Sequence, residues 1–155
     1  MADTVGDRLK SLGIAIPNAS SPVANYVPWV RSGNLVFVSG QLPLQDGTVA
    51  CVGQIATEVN ADQGYAAARL CALNLIAHVR NACDGDLNRV KRVVKLTGFV
   101  ASGPAFTDHP AVINGASDLM VQVFGDAGRH SRAAVGASSL PRGATVEVEA
   151  IFEVI

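Results

Sequence analysis

The stretch from Ala61 to Cys83 constrains the fold more than any other. Set at about 100° per position, its residues sort onto two sides of a helix. Tyr65, Ala68, Cys71, Ala72, Leu75, Ile76, Val79, Ala82 and Cys83 fall on one side. Asp62, Gln63, Arg69, Asn74, His78, Arg80 and Asn81 fall on the other, so His78 is expected at the surface. Leu70 and Leu73 lie within the polar side, which predicts that this face is partly covered as well. At 1.5 Å per residue the helix is about 35 Å long, enough to cross a whole sheet. An apolar stripe of that length requires a broad partner. Asp84-Gly85-Asp86 ends it.

The rest of the chain supplies that partner. From Tyr26 the run YVPWVRSGNLVFVSGQLPL is rich in β-formers, and Ser32-Gly33-Asn34 marks a hairpin turn within it. Asp46-Gly47 marks a second turn. Val90 to Val100 is dominated by β-branched residues and reads as a strand. Arg132 to Ser138 and Thr145 to Val154 read as the last strands, joined around Pro141-Arg142-Gly143. Between Val100 and Arg132 a second helix starts at Asp108 or His109, with Pro110 in its first turn, and stops at Gly125. Its Val112, Ile113, Ala116, Leu119, Met120, Val123 and Phe124 make one apolar face. A short helix over residues 4–12, capped by Thr4 and stopped by Gly13, precedes an extended connection from Ile16 to Tyr26. The order α, ββ(β), α, β, α, ββ predicts an α+β fold in which both long helices cover one face of one sheet. With no linker, repeat or low-complexity tract, residues 1–155 read as a single domain.

Composition narrows the function classes. Of 155 residues, 49 % are hydrophobic and 16 % charged, which excludes a disordered chain. The formal net charge is −1, no basic run exists, and aromatic residues are 5 %. Duplex nucleic acid and base-stacking partners are therefore disfavoured. The charged fraction lies below the usual ~25 %, which suggests that part of the surface is buried against copies of the same chain. Cys51, Cys71 and Cys83 form no paired spacing, so neither a disulfide framework nor a zinc site is expected. The N-terminus has no signal-peptide pattern and no run reaches the ~20 apolar residues of a membrane span. The expectation is a cytoplasmic protein.

Few residues carry recognisable chemistry. His78, His109 and His130 are not at metal-ligand spacing, and no nucleophilic-serine, phosphate-loop or dinucleotide motif occurs. The final strand alternates, with Val146, Val148, Ala150, Phe152 and Val154 on one face and Thr145, Glu147, Glu149, Ile151 and Glu153 on the other. The second set is either a solvated face or a source of general bases. On the preceding strand Arg132 alternates with the small residues Ala134, Gly136 and Ser138, which leaves room for a carboxylate on its guanidinium. A cross-strand ion pair with Glu147 or Glu149 is the alternative. Ser39-Gly40-Gln41 ends a strand, where glycine allows close approach of a ligand or simply makes a bulge.

Three segments together resemble a known family. They are SGNLVFVSGQLPL (Ser32 to Leu44), the long helix after it, and RAAVGASSLPRGATVEVEAI (Arg132 to Ile151). The similarity is to the Rid/YjgF family, the reactive enamine/imine deaminases also labelled L-PSP endoribonuclease or translation initiation inhibitor. It runs from about Pro22 to Val154. It implies a fold like the AroH-type chorismate mutase, assembled as a homotrimer with a central barrel and pockets between subunits. It implies hydrolysis of 2-aminoacrylate and related imines to 2-oxo acids and ammonia, as in 2-iminobutanoate/2-iminopropanoate deaminases, without metal or organic cofactor. By the same resemblance Arg132 clamps the substrate carboxylate and Glu147 holds the attacking water. Tyr26, Ser39, Gly40 and Asn114 line the pocket, and Ala134 stands where the family often has Cys or Ser. Four departures mark a longer, divergent subgroup: Ala134 itself, His130-Ser131 before the arginine, the long ASGPAFTDHPAVING segment, and the N-terminal helix. A non-catalytic binder of small carboxylates and an RNA-directed activity are the competing readings.

Overall fold

Each apolar run finds its partner on one side of a single sheet. The computed structural model describes residues 3–21 and 24–155. Helix α1 (Val5–Leu12) opens the chain; the Thr4 hydroxyl accepts from the Asp7 amide, and Gly13 closes the helix in the left-handed region at φ 65°. Strands β1 (Trp29–Ser32) and β2 (Leu35–Gln41) form the hairpin expected at Gly33. Strands β3 (Leu44–Gln45) and β4 (Thr48–Val49) form a minor hairpin at Asp46-Gly47. Helix α2 (Ala61–Ala82) is capped by Asn60 and leads to β5 (Val90–Ala101). Helix α3 (His109–Phe124) then leads to β6 (Ser131–Ala137) and β7 (Val146–Val154). Pro22 and Val23, within the expected extended connection, lie outside the described residues.

The five-stranded sheet has the order β1-β2-β7-β5-β6. It is antiparallel except for β5 and β6, which pair in parallel because α3 carries the chain back between them. The architecture is thus the α+β class with a mixed sheet and both long helices on one face. Val36, Val38, Leu96, Val100, Val146, Val148 and Phe152 point from the sheet into the core, where Leu75, Ile76, Val79, Ile113, Leu119 and Met120 meet them. Two glycines set the close approaches. A Cβ on Gly115 of α3 would overlap the Tyr65 carbonyl oxygen of α2, and one on Gly98 of β5 would overlap Ile113.

The polar side of α2 differs from expectation. His78 is only 1 % exposed and Asn74 is buried too. The cause is the chain on either side of the first hairpin. The segment after α1 runs back over the helix, where the Pro17 carbonyl accepts from Arg80 Nη2 at 2.9 Å and Ser20 Oγ lies 3.5 Å from His78 Nε2. Asn74 Nδ2 donates to the carbonyls of Leu42 and Leu44 at 3.2 and 3.1 Å, which fixes the turn after β2. Leu70 and Leu73 are half-buried and line a groove of about 530 Å³ with Ile16, Pro17 and Ser20 of their own chain. Tyr65, placed on the apolar side by periodicity, is half-buried at the α2–α3 seam and donates to Asp118. Thr145 is fully buried rather than solvated, its hydroxyl donating to the Gly53 carbonyl.

Among the described residues, none covers the face of the sheet away from the helices. Val30, Phe37 and Val135 there are 53, 42 and 43 % exposed, with Ile151 half-buried beside them. Within the sheet, β1 and β6 each have one neighbour.

Candidate functional site

The chemistry-bearing side chains form two groups. The first surrounds Glu147, the second residue of β7. Val146 and Val148 on either side are fully buried under the helices, so strand alternation turns Glu147 the other way. The β2–β7 pairing is irregular between Val38 and Gln41, and Gly40 lies in that irregularity. A Cβ on Gly40 would overlap the Glu147 carboxylate and sit 3.2 Å from its Cγ. Glycine is therefore required for the carboxylate to lie across β2. Burial, and behind it the charge of Glu149, holds the Glu147 carboxyl above the usual carboxylate range. Glu147 lines a cavity of about 270 Å³ with Tyr26, Pro28, Gly40, His78 and Arg142.

His78 in that cavity was unforeseen, since periodicity alone places it at the surface. It is buried and its Nδ1 has no hydrogen-bond partner among the described residues. Burial lowers its pKa, favouring the neutral ring. Arg142 lines the same cavity from a left-handed backbone position at φ 58°. Ser39, by contrast, turns toward the open sheet face, where it lines a second cavity of about 290 Å³ with Phe37, Lys95, Thr97, Glu149 and Ile151. Its hydroxyl donates to the Val27 carbonyl at 3.0 Å, tying β2 to the segment that carries Tyr26.

The second group surrounds Arg132 near the start of β6. Register places Arg132 beside Leu96, and Ala134 and Gly136 beside Gly98 and Val100, on the helix-covered face. Ala134 packs on the core, and a Cβ on Gly136 would press on the His109 ring 2.7 Å away. The small residues beside Arg132 thus accommodate helix and loop as well as leaving the guanidinium free to extend. Arg132 Nη1 donates to Asn114 Oδ1 at 2.8 Å and to Ser117 Oγ at 3.1 Å. Asn114 and Ser117 are three apart on α3 and share a face.

Arg132 and Glu147 do not meet within one chain. Strand β5 separates β6 from β7, so the expected alternative of an Arg132–Glu147 or Arg132–Glu149 cross-strand pair is excluded. Leu96 pairs with Arg132 on one side and Ala150 on the other, which puts Arg132 two strands away from β7 and level with Ala150. At about 4.8 Å per strand and 3.4 Å per residue, the Arg132 and Glu147 backbones are roughly 14 Å apart. The two residues also start from opposite faces. One chain brings Tyr26, Gly40 and Glu147 together, and Arg132 with Asn114, as two separate groups. Among the described residues no group of three His, Cys, Asp or Glu side chains is arranged to hold a metal ion.

Comparison with known proteins fits this architecture. Residues 6–153 match the family described as "YjgF/chorismate_mutase-like, putative endoribonuclease". Protein TCP17 of Trypanosoma cruzi is 50 % identical over 150 residues, covering 96 % of this chain and 93 % of that protein. The crystal structure of protein Atu1372 from Agrobacterium tumefaciens superposes with a TM-score of 0.92 at 50 % identity, covering 99 % of this chain and 94 % of that one. A 2-iminobutanoate/2-iminopropanoate deaminase of Dermatophagoides farinae is 29 % identical over 139 residues, 89 % of this chain and 92 % of that protein. With a family match over nearly its whole length and a fold shared with solved relatives, the chain belongs to the YjgF/chorismate mutase-like family.

Proposed function

We propose that the protein hydrolyses imines of 2-amino acids to 2-oxo acids and ammonia, at a site completed between subunits. The observation that carries this reading is the pair of complementary half-sites: a guanidinium whose Nη2 and Nε make no hydrogen bond among the described residues, and a half-buried carboxylate of raised basicity. Arg132 binds the substrate carboxylate through two parallel N–H donors. Glu147 of a neighbouring subunit accepts a proton from water as the oxygen adds to the imine carbon. Glu147 passes that proton to the imine nitrogen, giving a carbinolamine; transfer of the hydroxyl proton to the same nitrogen through the carboxylate then breaks the C–N bond, so that ammonia leaves and the C=O of the 2-oxo acid forms. Tyr26 and Gly40 shape the wall beside Glu147, while Asn114 orients Arg132. The relative named as a 2-iminobutanoate/2-iminopropanoate deaminase supports the substrate class.

Assembly of three chains about the uncovered sheet face supplies what one chain lacks. It removes Val30, Phe37 and Val135 from water and accounts for a charged fraction of 16 %. With a net charge of −1, the surface is poorly suited to an RNA backbone.

The test generates imines in situ with an amino-acid oxidase and follows 2-oxo acid release. Wild type should accelerate release over buffer, and Arg132→Ala should lose about a hundredfold in kcat/KM. Stabilisation by 2-oxo acids without any turnover would leave a carboxylate-binding protein instead. Ribonuclease activity that disappears in Arg132→Ala would overturn the deaminase reading.

A further inference from the structure

Arg132 is held by more than Asn114. The Ser117 hydroxyl that accepts from Arg132 Nη1 also lies 2.9 Å from His130 Nε2, and His130 Nδ1 lies 2.6 Å from the Gly128 carbonyl. The direction of every proton in this chain follows from those contacts. A carbonyl only accepts, so Nδ1 carries the ring proton and donates to Gly128. In the neutral ring Nε2 is then an acceptor, and Ser117 donates its hydroxyl proton to it. The Ser117 oxygen is left with its lone pairs directed at the guanidinium. Burial and the Arg132 charge both keep His130 unprotonated, against the pull of the Gly128 bond.

We infer that His130 and Ser117 are positioning residues that set the Arg132 guanidinium for carboxylate recognition, an inference that rests on the substrate-binding role given to Arg132 above. With both protons of Nη1 committed to Asn114 and Ser117, the guanidinium plane is fixed. Its remaining donors, two on Nη2 and one on Nε, form a fork that fits a carboxylate side-on. Without His130 the Ser117 proton has no fixed acceptor and its hydroxyl can rotate that proton toward Arg132. One arm of the clamp is then lost while the arginine remains. Gly128 maintains the base of the relay, since a Cβ there would overlap the Met120 carbonyl and push the turn off α3.

The experiment measures pyruvate and pyruvamide affinity by calorimetry in wild type, His130→Ala, Ser117→Ala and Ser117→Thr. Ser117→Ala and His130→Ala should each weaken pyruvate about tenfold and leave neutral pyruvamide unchanged. Ser117→Thr, which keeps the hydroxyl, should bind pyruvate like wild type. Adding His130→Ala to Arg132→Ala should cost nothing more. Equal losses for pyruvate and pyruvamide, or wild-type affinity in both alanine variants, would refute the relay. Wild type that binds no pyruvate would defeat the functional reading instead. The relay is then judged by the Arg132 Nε–H resonance: distinct in wild type and Ser117→Thr, averaged in both alanine variants. An unchanged resonance there overturns it.

Discussion

In the proposed mechanism Glu147 must be ionised to take a proton from water, and its burial makes that ionisation harder. Activity is therefore expected to fall as pH drops through a value above the usual carboxylate range, a limb that a kcat profile between pH 4 and 8 would show. Glu147→Gln should abolish turnover while leaving pyruvate affinity within a few fold. The same group has a stability signature of known sign. A carboxyl whose pKa is raised on folding favours the native state while protonated, and that contribution fades as pH rises through its folded pKa. Glu147→Gln should therefore narrow the Tm difference between pH 4 and pH 7 in this direction, after correction for the other carboxylates. Gly40→Ala tests the geometry without touching the charge. Its methyl group displaces the far end of a flexible side chain, so kcat should drop at least tenfold, with Tm changed by only a few degrees. A wild-type kcat in Gly40→Ala would mean that the Glu147 pose over β2 is irrelevant to the chemistry.

Among the elements, the α2–α3 contact is the least tolerant. At Gly115 a new methyl group meets backbone of the facing helix, with Tyr65 C 2.8 Å and Arg69 N 3.2 Å away, so no rotamer change relieves it. Gly115→Ala should cost about 3 kcal/mol in denaturant unfolding, and a loss under 1 kcal/mol would show the helices free to separate. Sequence patterns located nearly every element, because hydrophobic period, Thr4, Gly13, Gly33, Asp46-Gly47, Pro110 and Gly125 each carry a local rule. They failed at His78 and Asn74, where periodicity reports which side of a helix is polar but not what lies on it. There the polar residues are satisfied by, or lie against, chain from 17 to 44. Local pattern also left the partners of Arg132 and Glu147 open, because strand order is a long-range property: nothing in two alternating runs says that β5 will lie between them. The His130–Ser117 pair was legible only as a departure, the His130-Ser131 step ahead of the arginine. Its meaning required α3 to be in place.

Taken as a whole molecule, the proposed division of the site between subunits makes a prediction that no single-chain site shares. Arg132→Ala and Glu147→Gln homomers, each inactive, should regain part of wild-type activity when unfolded together and refolded. A mixed assembly would contain some interfaces with both native residues. Refolding either variant alone should restore nothing, and absence of rescue in a mixture that sedimentation shows to be hybrid would rule out a shared site. In the assembly proposed above, the open sheet face is the contact surface. A charge placed there, as in Phe37→Asp, is expected to yield a folded monomer without turnover, measurable by sedimentation equilibrium and circular dichroism.

Two adjacent residues tie down both ends of the fold. The Val5 amide donates to Asn88 Oδ1 at 3.1 Å; the Ile155 amide donates to the Arg89 carbonyl at 3.0 Å, and Arg89 Nε and Nη2 donate to the Ile155 backbone oxygen at 3.1 and 3.0 Å. The order in which the elements are threaded is thus separable from their arrangement in space. A short peptide bridging the two ends, with the chain reopened at the exposed Asp46-Gly47 turn, leaves every strand pairing between β2, β7, β5 and β6 intact. It also places the new ends beside the Leu70–Leu73 groove, far along the chain from Arg132 and Glu147. The contacts that hold Val5 and Ile155 at Asn88 and Arg89 are thus compatible with more than one order of the same elements.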